Sequence, residues 1–560
     1  MAHSYSRDMV VGCFFTPGIR KVCYYFFSLS DQADRQRLAP RQSVCSAVTR
    51  SRKTNQREVA SMRSTIPTVW LAMRLPVLLL SLWPATIIWA DENTKAAGDP
   101  LVNLIEAIPP LSRPQGNRPP LFTWSPELPA NASDAQIETA LRALQARGLS
   151  LFLRWQPDQS NTLAHVRRVA TIQKRLGLPV AVDATPISHG LFPRGDQGSH
   201  VDASGKPFRG SGLGWDPGCP FRVQSLNEEV RSRFEAYAKA HKQTSAPMDY
   251  WISDWELDGP NEWKQSWTMA KQCVTCRQQI PDIATNFAAY QAAVRKLRSE
   301  MQRKNFVKPV LAQFPSVRIG NYAMNPHNGY RYYWDYYEED SFGKPNLTEG
   351  IPYRREQGAY YRPWWRGEFE TSGYTLAAPV IYAWYHLFLN YAFTNTDYRW
   401  FYGMLLEGTS AARHTPANTP LIPFLHGLPI GAPDKPEQRA PGFAALSEEK
   451  YKELVWHLLL RGVDSFILWA PGDETREMRP LQAVYAESLE YPDFFEKGAP
   501  VAFDLPDQPG VVVSAMKLKD KLLVRRTDFS EARGPVTITV EGKTIVVPVA
   551  SGKCQVLGVE

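Results

Sequence analysis

What most constrains the fold of this chain is an alternation, kept up from residue 121 to about 488, between short apolar runs and longer amphipathic segments. Eight apolar runs read as strands: 121–124, 150–155, 179–184, 249–256, 309–314, 379–384, 420–426 and 463–469. Between them, 134–147 (DAQIETALRALQAR), 163–176, 226–241 and 283–303 repeat apolar residues at helical spacing. Asp134 reads as an N-cap and Gly148 as a stop. A strand that is followed by a helix re-enters its sheet parallel to itself. Eight such units predict an α/β fold, a (β/α)8-type barrel with long loops. A doubly wound open sheet would show the same alternation. The first run, however, is not followed by the glycine-rich phosphate loop of nucleotide-binding versions.

The flanks read differently. Beyond 487–497, short β-rich runs at 510–516, 521–526, 536–540 and 543–549 are separated by turn residues such as Gly542-Lys543, which predicts a small antiparallel β-domain over 498–560. The barrel would then span 121–497, after a proline-rich, extended lead-in over 91–120. Residues 73–90, MRLPVLLLSLWPATIIWA, have the basic start, apolar run and small terminal residue of an export signal. Met73 is accordingly expected to be the true start, with 1–72 an over-extended start or a disordered extension. The product is expected to be secreted or periplasmic, with no membrane attachment after signal removal.

Charge narrows the partners. The formal net charge is +8, but residues 1–72 hold eleven Lys and Arg against four Asp and Glu, and Arg74 adds one more. Nothing remains for 91–560, so the body of the chain has no basic field for nucleic acid. Aromatics are plentiful, with 17 Trp and 24 Tyr. Many lie in the long segment 318–375, which carries RYYWDYYEED and YYRPWWRGEFE. At a barrel mouth this segment would wall a groove. Tyr322 and Arg331 are its candidate substrate contacts, and Arg331, Arg354, Arg355, Arg362 and Arg366 could bind the carboxylates of an anionic polysaccharide. A second long loop, 187–220, is rich in Gly and Pro.

The densest chemistry lies at 249–263, DYWISDWELDGPNEW. Strand alternation places Tyr250, Ile252, Asp254 and Glu256 on one face, and Gly259-Pro260 ends the strand at once. Two carboxylates thus share one face at the C-terminal end of a barrel strand, where sugar-cleaving barrels keep their acid and base. Like-charge repulsion between them raises the pKa of one, as a proton donor requires. Trp251, Trp255, Trp263 and Trp267 flank the pair, and the flat face of a Trp such as Trp255 suits a sugar ring.

Asp254-Trp255-Glu256 followed by Pro260, Trp263 and Trp267 resembles the signature of the hyaluronidase family of barrel glycosidases. Pro379-Val-Ile-Tyr382 is similar to that family's P-x-I-Y strand, and Gly462 to Trp469, continuing to Glu474-Thr-Arg476, to its last strand. The likeness runs in order across 250–480. It implies Glu256 as general acid/base and Asp254 as the residue holding a substrate acetamido group, whose own oxygen attacks the anomeric carbon with overall retention. It also implies that Tyr382 helps hold that group and that Trp469 floors the subsite. The expected substrate is then an N-acetylhexosamine-containing polysaccharide or glycan, with no cofactor. Four features depart from the family: the loop after Glu256 is one residue longer, the cysteine framework is absent, a β-domain replaces the usual C-terminal appendage, and the next-to-last strand, 420–427, has no acidic partner where the family has one.

Two other readings use the same residues. WELDGPNEW is also a stretched form of the W-E-x-G-N-E element of two-glutamate retaining barrels, with Glu262 as acid/base and Glu368, Glu370 or Glu407 as nucleophile. A secreted carbohydrate-binding protein on a decayed barrel would keep the aromatics but would not need Asp254 and Glu256 together. The cysteines after the signal are Cys219, Cys273, Cys276 and Cys554, which allow three disulfide pairings. Cys273–Cys276 has the spacing of half a zinc site, but no second ligand pair follows at matching spacing, so no metal is expected.

Overall fold

The computed structural model describes residues 11–14, 22–25 and 99–559, apart from residue 125 and residues 155–159, 186–195, 209–218, 244–246, 255–263, 323–369, 392, 470–473, 502, 532–533 and 550–551. Met1–Ala96 and Ala97–Glu560 are separate compact units. In the first, Val11–Phe14 and Val22–Tyr25 pair as an antiparallel hairpin. The expected export signal lies outside the described residues.

The second unit contains the predicted barrel. Its strands are β1 (Leu121–Thr123), β2 (Leu149–Arg154), β3 (Ala181–Asp183), β4 (Tyr250–Asp254), β5 (Arg318–Tyr322), β6 (Val380–Trp384), β7 (Phe424–Ile430) and β8 (Ile467–Leu468). All neighbours pair in parallel, in the order β6-β7-β8-β1-β2-β3-β4-β5. The two ends of that order meet just before β6, where the Thr375 and Leu376 amides donate to the Ile319 carbonyl of β5 at 3.0 Å each. The approach demands a glycine. A Cβ on Gly320 would stand 2.9 Å from the Leu376 carbonyl oxygen.

Helices α1 (Asp134–Gln145), α2 (Ser160–Leu176), α3 (Asn227–Lys242), α4 (Phe287–Gln302), α5 (Thr396–His414), α6 (Glu448–Leu460) and α7 (Glu474–Ser488) lie between and after the strands. The cap of α1 is one residue earlier than expected. The Ser133 hydroxyl accepts from the Gln136 amide and the Gln136 side chain accepts from the Ser133 amide, a reciprocal box that leaves Asp134 in the first turn, on the side the helix dipole favours. Gly148 ends the segment at φ +71° as predicted.

Alternation along each strand divides two cores. Phe122, Phe152, Tyr250, Ile252, Tyr322, Tyr382, Phe424 and Ile467 fill the barrel. Trp251, on the opposite face of β4, packs outward against Phe234 and Tyr237 of α3.

Two expectations fail. Residues 309–314 are not a strand, because Lys308–Gln313 is helical with Pro309 in its first turn, following a π-helical turn at Arg303–Val307. A run as short as PVLA suits either element, and here the preceding helix propagates through it, with Pro309 placed directly after the π-helical turn. The fifth strand is RIGNY at Arg318–Tyr322, from the stretch read as loop. Within the lead-in expected to be extended, Pro100–Ala107 is a helix capped by Asp99, and it buries Leu101 and Leu104.

The C-terminal β-domain is antiparallel as expected. Strands β9 (Ala499–Val501), β10 (Val511–Leu518), β11 (Lys521–Asp528) and β14 (Gln555–Gly558) form one sheet, and β12 (Val536–Val540) with β13 (Lys543–Val547) a hairpin. The turn residues Glu541 and Gly542 both have positive φ, 52° and 79°, as a type I′ hairpin requires. Among the described residues no helix is long and apolar enough to cross a membrane.

Candidate active site

Asp254 is the last residue of β4, and its backbone is in register with Tyr322, the last residue of β5. Tyr250, Ile252 and Tyr322 all belong to the barrel core, so the face predicted from alternation is the interior one as far as Ile252. Glu256, Trp255, Arg331 and the rival Glu262 lie outside the described residues.

The other predicted contacts converge at the same ends of the strands. Tyr382 of β6 is stacked on Trp469, which follows β8, with ring centroids 5.0 Å apart and planes 15° from parallel. Tyr322 lies 6.3 Å from Tyr382 and edge-on to Phe424 at 4.8 Å. Trp384 adds a further ring 5.9 Å from Tyr382. Tyr322, Tyr382 and Trp469 are far apart in sequence, and parallel strands in register bring them together. Tyr382 is fully buried, whereas Trp469 is only partly so and presents the accessible aromatic surface of the pair.

Several polar residues at this end have no counterpart in the sequence reading. His426, in register with Tyr382 on β7, sits edge-on to both Tyr382 (5.9 Å) and Trp469 (5.4 Å). Its Nδ1 is 2.6 Å from Glu477 Oε2, a close contact off the line of a hydrogen bond, and Glu477 Oε1 accepts from the Gly427 amide. Glu474 accepts from the Thr123 hydroxyl at the end of β1. Thus α7 sends two buried carboxylates back beneath the aromatic cluster. The E-T-R sequence after the last strand was a signal for Glu474. For Glu477 and His426 there was none, since the contact joins residues 51 apart. On the other side of the mouth, Arg154 at the end of β2 donates from Nε to Asp183 Oδ2 at 2.8 Å, its guanidinium lying over Trp124.

Of the nucleophile candidates in the two-glutamate reading, Glu368 lies outside the described residues, Glu407 is buried within α5 in the outer layer, and Glu370 is exposed on a helical segment; neither Glu407 nor Glu370 ends a barrel strand.

No protein-family model matches the chain, and no curated protein matches it in sequence. Solved structures similar to it include the cyclic α-maltosyl-(1→6)-maltose hydrolase of Arthrobacter globiformis, at 11% identity and TM-score 0.36 over 79% of this chain and 99% of that one. A maltogenic α-amylase of Thermotoga neapolitana, at 10% identity and TM-score 0.34, covers 79% and 97%. A GH30 endoxylanase of Clostridium papyrosolvens, at 12% identity and TM-score 0.30, covers 75% and 83%. Likeness this remote carries no weight about chemistry, which has to come from the residues themselves.

One expectation about metals meets a different arrangement. Cys273 and Cys276 lack a second ligand pair in sequence, yet the fold brings His200 and Cys219 to them. Cys554 stands apart in the β-domain, and all four cysteines are free thiols.

Proposed function

We propose that the chain is an exported glycoside hydrolase that cleaves an N-acetylhexosamine-containing polysaccharide or glycan at the C-terminal mouth of its barrel. The observation that carries this reading is the placement of Asp254 at the end of β4, beside Tyr322 and at the same end of the barrel as the stacked Tyr382–Trp469 pair. Acid chemistry and a sugar-stacking surface then share one face of a barrel, the face on which such enzymes build their sites.

In this mechanism Glu256 protonates the departing glycosidic oxygen, while Asp254 orients the substrate's N-acetyl group so that its carbonyl oxygen attacks the anomeric carbon. Glu256 then takes a proton from the water that opens the cyclic intermediate, and configuration is retained. General acid catalysis contributes about 10²–10⁴-fold. Glu256→Gln should therefore lower kcat by about that factor with KM little changed, and a leaving group that needs no protonation should recover much of the loss in bond cleavage. Asp254→Asn should not be rescued in that way. Rapid cleavage of a sugar without an N-acetyl group, or a glycosyl ester trapped on any protein carboxylate, would overturn the scheme. Export through residues 73–90 belongs to the same proposal, and a native N-terminus found upstream of Met73 without processing would refute it.

A further inference from the structure

We infer that His200, Cys219, Cys273 and Cys276 form a structural zinc site that fastens the loop after β3 to the loop after β4. All four residues are buried to 0% exposure, and their ligand atoms lie within 4.8 Å of one another. Cys219 Sγ is 3.5 Å from Cys276 Sγ and 3.9 Å from Cys273 Sγ, and Cys276 Sγ is 3.9 Å from His200 Nδ1. Zn–S bonds of about 2.3 Å in a tetrahedron set sulfur–sulfur edges of about 3.8 Å. A disulfide would need about 2.05 Å. The observed separations match the edges of a coordination sphere and not a covalent bond.

The local structure is built for such a site. Cys273 is the N-cap of the helix Val274–Gln279 and Cys276 lies in its first turns, so C-x-x-C offers both sulfurs from one side. The Val201 amide donates to Cys273 Sγ at 3.5 Å, a bond that favours a thiolate. The Cys219 backbone N–H donates to the Gly198 carbonyl at 2.6 Å, and the His200 ring is stacked on Phe208 at 5.6 Å. Around the four lies a small apolar core of its own, with Val201, Ala270, Ile280, Ile283 and Tyr290, separate from the barrel's. Three thiols and an imidazole gain little by converging there as ordinary core residues. Soft thiolates with one imidazole in a closed tetrahedral set select zinc, and each thiol gives up its proton on binding.

The site also has a clear mechanical role. His200 and Cys219 come from the segment between β3 and α3, and Cys273 and Cys276 from the segment between β4 and α4, the one that also carries Glu256. Joining them fixes the wall of the barrel mouth on either side of the end of β4. The site takes no part in the chemistry proposed for Glu256 and does not depend on it.

The full chain, purified without added metal, should contain one zinc per molecule by elemental mass spectrometry. Its zinc-edge X-ray absorption should show three sulfurs at about 2.3 Å and one nitrogen at about 2.0–2.1 Å. Cys276→Ser should lose the metal and Cys554→Ser should keep it. His200→Cys should keep it with four sulfurs, which separates loss of a ligand from loss of the fold. A metal-free chain whose thiols titrate freely, a disulfide within the trio, or full zinc retained in Cys276→Ser would overturn the inference. Because every readout is of the metal, failure of the glycosidase reading would leave the result unchanged.

Discussion

The junction between α6 and the β-domain offers the sharpest stability test. Arg525 of β11 donates from Nε to Glu453 Oε2 at 3.0 Å and from Nη2 to Glu453 Oε1, with side chains only 5% and 11% exposed. Thr527 also donates to Glu453, and its hydroxyl is 3.0 Å from His457 Nε2. His457 Nδ1 and Arg461 Nε share the Ser514 hydroxyl at 2.7 Å each. Arg525→Met would strip the Glu453 carboxylate of both guanidinium donors and leave it the Thr527 hydroxyl alone. Removing one partner of a buried pair costs about 3–5 kcal/mol, whereas replacing both by apolar groups of similar volume is often close to neutral. In the double variant Glu453→Met/Arg525→Met, the Thr527 hydroxyl can turn to His457, so no buried donor is orphaned. The single variant should therefore lose about 3–5 kcal/mol in urea unfolding. The double variant should return to within about 1 kcal/mol of the parent, since what is then lost is the guanidinium's contact with the Trp456 ring at 5.4 Å and its interaction with the Cys554 thiol. A double variant as unstable as the sum of the two singles would refute this account.

Two further outcomes can be checked directly. Burial lowers the pKa of His241 to about 4, nearby Arg167 adding to the effect and a hydrogen bond to Pro247 opposing it. The unfolded chain therefore takes up a proton near pH 6.5 that the folded chain refuses, and stability should fall as pH drops from 6.5 to 4, by about 2 kcal/mol at pH 5 for this residue. Urea midpoints at pH 7.5 and 5 should converge in His241→Leu. Trp469→Ala should raise KM for the glycan about tenfold, at the upper end of what one aromatic contact is worth, and Trp469→Phe should recover most of it, as measured by initial rates.

How far the fold could be read from the chain depended on what each segment had to satisfy. Seven of the eight strands were legible because each is an apolar run closed by turn residues and followed by a helix with a distinct apolar face. The fifth was missed because RIGNY presents only Ile319 as a strong apolar residue, and its glycine reads as loop. That glycine is required by the approach of Leu376, a contact 56 residues away along the chain. The PVLA run was misread for the opposite reason: local apolarity suits either element, and helix propagation from 287–307 decided it.

The candidate site divides along the same line. Asp254 is legible as a strand-end residue because period-two alternation fixes a face and the following turn fixes an end; Tyr322 falls in the stretch read as loop, and Tyr382 and Trp469 rest on the family resemblance. His426, Glu474 and Glu477 acquire their arrangement only when α7 folds back across β7 and β1, and no local pattern encodes that. The cysteine–histidine cluster shows the same limit more sharply. Spacing reveals a ligand pair when both members lie on one turn, as Cys273 and Cys276 do, but His200 and Cys219 are joined to them by two loops that meet only because β3 and β4 are neighbours in the barrel. Strand order thus decides which side chains can share an ion, and a chain read one segment at a time underestimates such sites.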